Sequence, residues 1–529
     1  MALGLEVRLD RFVGAALRGR PSLGLSLRTS GHGVPPLQLL WRNQMNRLIL
    51  LFSVLILSLH GASAVRQSHV KSVALTDCEI QGAGKAKCGS LEVFENRATK
   101  KGRTINLNIV VFPANGDKHE PDPFFYFAGG PGSAATEEAS GVVQAFAKVR
   151  EHRDFVFVDQ RGTGKSNPLN CSFYNPADPQ SYLGYFFPLE DVRKCRADLE
   201  SKADLKLYTT TIAMDDLDDV RAALGYERIN LFGGSYGTRA VLTYIKRYPQ
   251  HARTAILQGV APPDQRMPVD FPVGMERALD GVLAECAADE PCHQAFPNLK
   301  EETKSVLAQL IKGPVEVELD QPNSKDHVKV QLNRDLAAEA IRYMLYNPVA
   351  ASRVPVTLHL AAQGNFVPLA RTAMRYRQNL VGSGSNGMYL SVTCAEDLPW
   401  IKPGEGERLA ANTFLGDYRL RQQREACALW PRADIERDYA GPIRVDVPVL
   451  ILTGEWDPVT PPANGDRIAK NLPNSLHIIV PHGAHGLGGL EGLDCIQRLS
   501  TEFVERGTVK DLDTTCVKSV RRKGFVLKL

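Results

Sequence analysis

A short apolar run, Ile229 to Phe232, leads into Gly233-Gly234-Ser235-Tyr236-Gly237 and then into the amphipathic stretch TRAVLTYIKRYP. The run has the length of a strand and the stretch has the period of a helix. A chain that passes from strand to helix through so few residues must turn sharply. Small neighbours are needed there because the backbone is strained and crowded. In that setting G-x-S-x-G lifts the serine hydroxyl at the C-terminal edge of a sheet, where it can act as a nucleophile. Outside it, a glycine–serine turn is only a turn.

The rest of the chain supplies the setting. TINLNIVVFPA, PFFYFAGGPG, DFVFVDQRGTG, TAILQGVAPP, VPVLILTGEWD and SLHIIVPHGAHG are further strand-length runs that end in glycine-rich or polar turns. Continuous apolar runs fit parallel strands buried on both faces. Helical stretches such as AMDDLDDVRAALGY lie between them, and the alternation predicts an α/β architecture with a mostly parallel sheet flanked by helices. From about residue 266 to 440 the rhythm changes to helices, with VEVELDQ and HVKVQL as a small hairpin and VGSGSNG as a loop. The organisation expected is a core over 65–265 and 441–529, interrupted by a mainly helical cap over 266–440.

A nucleophile at such a turn needs an aspartate and then a histidine later in the chain. Asp457 follows one late strand and His485 the next. Histidine would take the serine proton and aspartate would hold the imidazole. His482 and Glu455 compete for these roles. His485 is preferred for its small-residue turn, Gly483-Ala484-His485-Gly486, and Asp457 for its place ahead of Pro458. The oxyanion donors expected are the amides of Tyr236 and of Gly130 in FAGGPGS. No metal site is expected: H-E-x-x-H is absent and His482 with His485 lacks an evident third ligand. No cofactor is expected either. Gly164-Lys165-Ser166 resembles the end of a phosphate loop, but position 159, where the first glycine belongs, is Asp159.

Charge and cysteines bear on location. Residues 1–64 carry a net charge of +5 and the remainder −1, so the basic excess belongs to the leader and nucleic acid is not an expected partner. Within the leader, Met45-Asn46-Arg47, an apolar run Leu48–Leu59 and Ala62-Ser63-Ala64 predict a cleaved signal peptide over 45–64. The alternative is an uncleaved anchor, although the run is short for one. Residues 1–44 are expected to lie outside the mature protein, with Met45 as the start, and no stable membrane anchor is expected after cleavage. All ten cysteines follow residue 64. An exported chain can keep disulfides. The pairing suggested by nearness in sequence is Cys78 with Cys88, Cys171 with Cys195, Cys286 with Cys292, Cys495 with Cys516, and Cys394 with Cys427.

GGPG, DQRGTGKS, GGSYG, DPVTP and GAHG, in that order, resemble the prolyl aminopeptidase-like α/β-hydrolases, closest to their exported tripeptidyl aminopeptidase-like branch. The resemblance covers most of residues 95–520. It implies an α/β-hydrolase fold with a helical cap, a Ser235–Asp457–His485 triad, and Gly130 and Tyr236 at the oxyanion hole. Ala128 and Tyr236 stand where prolyl aminopeptidases have His and Trp, so the resemblance does not extend to proline specificity. In that family acids at the cap edge hold the substrate's α-amino group. Glu396 and Asp397 match that place, or else they are surface acids of a cap loop; Glu137 and Glu138 are weaker candidates. The function expected is an exported serine peptidase, periplasmic or secreted. It would release residues or tripeptides from peptides with a free N-terminus through an acyl-enzyme. The alternatives are a carboxylesterase or lipase with the same triad, and an inactive hydrolase fold that binds partners.

Overall fold

The computed structural model describes residues 72–529 apart from 176, 321–326 and 383. The segments 1–44 and 45–64 lie outside the described residues. Nine strands form the main sheet: β1 (Thr76–Ile80), β2 (Gly84–Phe94), β3 (Thr104–Phe112), β4 (Phe124–Phe127), β5 (Phe155–Val158), β6 (Ile229–Gly234), β7 (Ala252–Gln258), β10 (Val449–Gly454) and β11 (Ser475–Val480). Their order is β1-β2-β3-β5-β4-β6-β7-β10-β11. The pairs from β1 to β5 are antiparallel. All pairs from β5 to β11 are parallel.

The parallel strands read as unbroken apolar runs because both faces are covered. In β4 all four residues are buried. Side chains alternate across a strand, so Phe125 and Phe127 enter one core with Leu217, Val220 and the helix Tyr236–Arg247. Phe124 and Tyr126 enter the other, with Val149, Leu499 and Phe503. At 25 cal/mol per Å2 or so, each buried large side chain contributes about 1.5–3 kcal/mol, and these two layers hold the sheet rigid.

Strand order reverses beside β4. The chain runs from β4 to β5 on one side and then crosses to β6 on the other. The loops that leave β4 and β6 therefore diverge, and a crevice opens at their C-terminal ends, where open α/β sheets bind ligands. Between β7 and β10 the chain leaves the sheet for a helical segment, here called the cap. It includes Phe271–Ala288, Arg334–Met344, Val367–Gly382, Asn386–Glu396 and Tyr418–Leu429, with a separate hairpin of β8 (Val315–Asp320) and β9 (His327–Leu332). The apolar core of this segment extends to Tyr236 and Val459, just past β6 and β10.

All ten cysteines are disulfide-bonded, in the five pairs expected from nearness in sequence. Among the described residues no helix is long and apolar enough to cross a membrane.

Candidate active site

Ser235 sits between β6 and the helix Tyr236–Arg247 with φ 55° and ψ −125°. That is a left-handed conformation for a non-glycine residue, costing on the order of 1–3 kcal/mol, and such strain gathers at functional positions. Three hydrogen bonds hold it. Ser235 N donates to Gln258 O at 2.9 Å, and Ser235 O accepts from Thr238 N at 2.9 Å and Thr238 Oγ1 at 2.6 Å. The turn is tight enough that a Cβ on Gly237 would come 1.9 Å from the carbonyl oxygen of Phe127. Helix and β4 thus meet backbone to backbone, and this closeness brings the two turns together.

The loop after β4 carries Gly129 and Gly130. A Cβ on Gly129 would lie 3.4 Å from Ser235 Cβ, so this loop packs directly on the serine. Thr136, a few residues on, donates from N and Oγ1 to Asp159 Oδ1 at 3.0 and 2.9 Å. Asp159 Oδ2 accepts from Asn108 Nδ2 and Lys165 N. DQRGTGKS is thereby a buttress for the loop after β4. Its Arg161 makes a bidentate, fully buried pair with Asp216 at 2.6 and 2.9 Å.

Asp457 and His485 follow β10 and β11. Asp457 is wholly buried. Its Oδ1 accepts from the amides of Val459 and Thr460 at 3.0 and 2.8 Å, and its Oδ2 accepts from Thr460 Oγ1 at 2.7 Å. His485 Nδ1 lies 2.9 Å from Asp457 Oδ2 and 2.9 Å from Thr460 Oγ1. Because Asp457 can only accept, Nδ1 carries the proton, and Nε2 is left as the proton acceptor. A Cβ on Gly259 would meet Thr460 Oγ1, His485 Cε1 and Asp457 Oδ2 at 3.0–3.3 Å. Gly259 follows Gln258, whose carbonyl takes the amide of Ser235. The ends of β6, β7, β10 and β11 thus gather Ser235, Asp457 and His485 into one neighbourhood.

The competitors fall into a different group. His482 Nδ1 lies 2.6 Å from Glu285 Oε1, and its amide donates to Glu455 Oε2 at 2.9 Å. Glu285, Glu455 and His482 have ligand atoms within 4.8 Å of one another. Glu285, however, already accepts from Trp456 Nε1 at 2.6 Å and Arg522 Nε at 3.0 Å, which neutralises it.

Two residues that motif reading missed position the aspartate. Thr460 bridges it to the histidine, as above. Arg277 donates to the carbonyls of Glu455 and Asp457 at 2.7 and 2.9 Å and lies over the Trp456 ring. Thr460 could have been found from DPVTPP, three residues after the acid. Arg277 had no local signal, since its partners are 178 and 180 residues away.

Glu396 and Asp397 require a correction, because they are neither at an open cap edge nor on the surface. Both are wholly buried. Glu396 accepts from Thr210 N and Oγ1, each at 2.7 Å, and from the Tyr439 hydroxyl. Asp397 Oδ1 takes Arg239 Nη2 at 2.8 Å, and Arg239 Nη1 lies 3.9 Å from Glu396. Burial pushes both carboxyls up, and Arg239 opposes that shift. Arg239 balances only one of their two charges, and as placed both carboxyls are closed off from solvent. Thr210 Oγ1 also lies 2.7 Å from the Tyr236 hydroxyl, which makes Glu396 a brace behind the serine turn. Glu137 is exposed, and Glu138 accepts from the Tyr126 hydroxyl with its carboxyl pushed up by burial.

Beneath the cap is a cavity of about 770 Å3 whose wall includes Gly130, Pro131, Tyr346, Tyr389, Arg342 and Arg419. Tyr346 meets the His485 ring edge-on at 5.3 Å. The cavity therefore adjoins both the loop after β4 and the histidine. Among the described residues that line it there is no carboxylate.

Residues 122–288 match the alpha/beta hydrolase fold family and residues 412–516 the TAP-like protein family. Serine protease Hip1 of Mycobacterium tuberculosis is 27% identical over 472 residues, which is 83% of this chain and 88% of that protein. Tripeptidyl aminopeptidase of Streptomyces coelicolor is 28% identical over 471 residues, 81% of this chain and 83% of that protein. Carboxylesterase B of Mycobacterium tuberculosis is 22% identical over 460 residues, 82% of this chain and 86% of that protein. With its nine-stranded, mostly parallel sheet and these relatives, the chain is a serine hydrolase of the α/β-hydrolase fold, and its residues 412–516 are similar to the TAP-like proteins.

Proposed function

We propose that the protein is an exported serine peptidase, periplasmic or secreted, that releases short N-terminal pieces from peptides through an acyl-enzyme on Ser235. The observation that carries this reading is the pairing of buried Asp457 with partly buried His485, set beside a strained serine turn and, through Tyr346, against the wall of a cavity under the cap. In the reaction, His485 Nε2 takes the Ser235 proton as Oγ attacks the scissile carbonyl. Asp457 stabilises the imidazolium, and the amides of Tyr236 and Gly130 receive the oxyanion. His485 then protonates the leaving amine, and water repeats the cycle on the ester. Peptides with a free N-terminus are the substrates in this reading. Support comes from the relatives named serine protease and tripeptidyl aminopeptidase. Five disulfides are consistent with export. Residues 45–64 then serve as the signal peptide, and 266–440 as the cap over a core of 65–265 and 441–529.

A fluorophosphonate should label Ser235 and neither Ser133 nor Ser166, as read by mass mapping. Ser235→Ala should lower turnover by roughly a thousand-fold or more. A folded Ser235→Ala protein with wild-type turnover would end the proposal. One observation favours a second reading, an esterase: among the described residues that line the cavity there is no carboxylate to pair with an amine. Free-amine peptides, their acetylated twins and short acyl esters, assayed side by side, separate the two. Cleavage of esters alone selects the esterase.

A further inference from the structure

The cavity wall carries more positive charge than its own acids neutralise. Arg342 and Arg419 line it, and Arg377 stands behind, over the same Phe186 ring that Arg419 covers. All three are buried. Among the described residues one carboxylate, Glu339, serves them, at 2.8 Å from Arg342 Nε and 3.7 Å from Arg419 Nε. Arg342 is fully used: its other nitrogens donate to the hydroxyls of Tyr346 and Tyr376. Arg419 is not. It is 5% exposed, yet its Nε and Nη1 have no hydrogen-bond partner among the described residues. Its Cζ lies 3.5 Å from the centroid of Phe186, so one face of the guanidinium is stacked while two of its nitrogens go without a hydrogen bond.

A buried guanidinium short of hydrogen bonds is unfavourable, and its fork matches the two oxygens of a carboxylate. We propose that Arg419 anchors a carboxylate of the substrate in the cavity beside Gly130, so that the enzyme favours peptides with an acidic group near the scissile bond. The substrate class rests on the peptidase reading above. The carboxylate has two possible sources, an Asp or Glu side chain or the peptide's own C-terminus.

Binding to Ser235→Ala protein, measured by calorimetry, tests this without hydrolysis. The probes are free-amine alanine hexapeptides with Glu at one of the first four positions, their Gln twins, and all-alanine hexapeptides ending in acid or amide. At one position Glu should bind about tenfold tighter than Gln. Arg419→Gln should cut that ratio below about threefold, while Arg419→Lys should keep part of it, since the charge stays and the fork is lost. An advantage for acid over amide instead would assign the carboxylate to the chain end and keep the anchor. Equal affinities in both comparisons, or no binding of any probe, overturn the proposal. So does a Glu preference that survives intact in folded Arg419→Gln protein. If Arg419→Gln does not fold, the ratio in the Ser235→Ala protein and the Arg419→Lys variant still decide. Failure of the wild type to cleave peptides would sink the peptidase reading and leave the binding result standing.

Discussion

Individual residues at the serine turn are under unequal constraint. Gly237 lies against the backbone of Phe127, which cannot move without shifting β4, whereas a Cβ on Gly234 would meet nothing within 4 Å. Gly237→Ala should therefore destabilise the protein by about 3 kcal/mol or more and abolish activity. Gly234→Ala should fold with activity within about twofold of wild type. Thermal melts and turnover of the pair check this; equal tolerance would contradict the backbone contact. Ser235, Asp457 and His485 were legible in the sequence because each stands in a short, strongly patterned turn after an apolar run. Thr460, Arg277 and Arg419 were not, because their work depends on partners that only folding brings near. Glu396 and Asp397 were misread for the same reason. Nothing local reveals that Arg239, more than 150 residues earlier, pairs with Asp397 in the interior.

Among elements, the parallel strands were readable from continuous apolar runs, but β1 and β2 escaped notice. They lie at the open, antiparallel side of the sheet, where burial is patchy and polar residues interrupt the apolar ones. The loop expected at VGSGSNG is shorter than its composition suggests, since one helix runs to Gly382 and the next begins at Asn386. Three cap helices converge on one charge cluster. Glu339 is on Arg334–Met344, Arg377 on Val367–Gly382 and Arg419 on Tyr418–Leu429. Burial opposes the charge of Glu339, but Arg342, Arg419 and Arg377 outweigh it and hold the carboxyl below its ordinary range. A carboxyl lowered on folding adds stability above its unfolded pKa, about 4.3, and loses it as pH falls through the folded value. Glu339→Gln should therefore lower the melting temperature markedly at pH 7 and much less near pH 3. A deficit that does not shrink in acid would show that Glu339 is not the ionised partner of these arginines.

For the molecule as a whole, the position of the disulfides matters more than their number. Each closes a local loop, with separations of 6 to 33 residues. Two lie within the stretch between β7 and β10, and none ties that stretch to the sheet. Cys394–Cys427 joins the helix Asn386–Glu396 to the helix Tyr418–Leu429, and these two supply Tyr389 and Arg419 to the cavity wall. The sheet, by contrast, rests on its two apolar layers and contains a single disulfide, in the β1–β2 hairpin. Reduction should thus act on the cap before it acts on the core. Closing a 15-residue loop restricts the unfolded chain by about 3 kcal/mol, and a longer loop by somewhat more. Replacing Cys394 and Cys427 by serine should therefore cost about 2–4 kcal/mol. Peptide turnover should fall at temperatures where the far-ultraviolet circular dichroism of the sheet is still intact. The same separation should appear for the wild type in reductant, whereas without reductant no thiol should react with an alkylating agent. A single transition in which turnover and sheet signal are lost together, at the wild-type temperature, would mean that this disulfide does not hold the cavity wall.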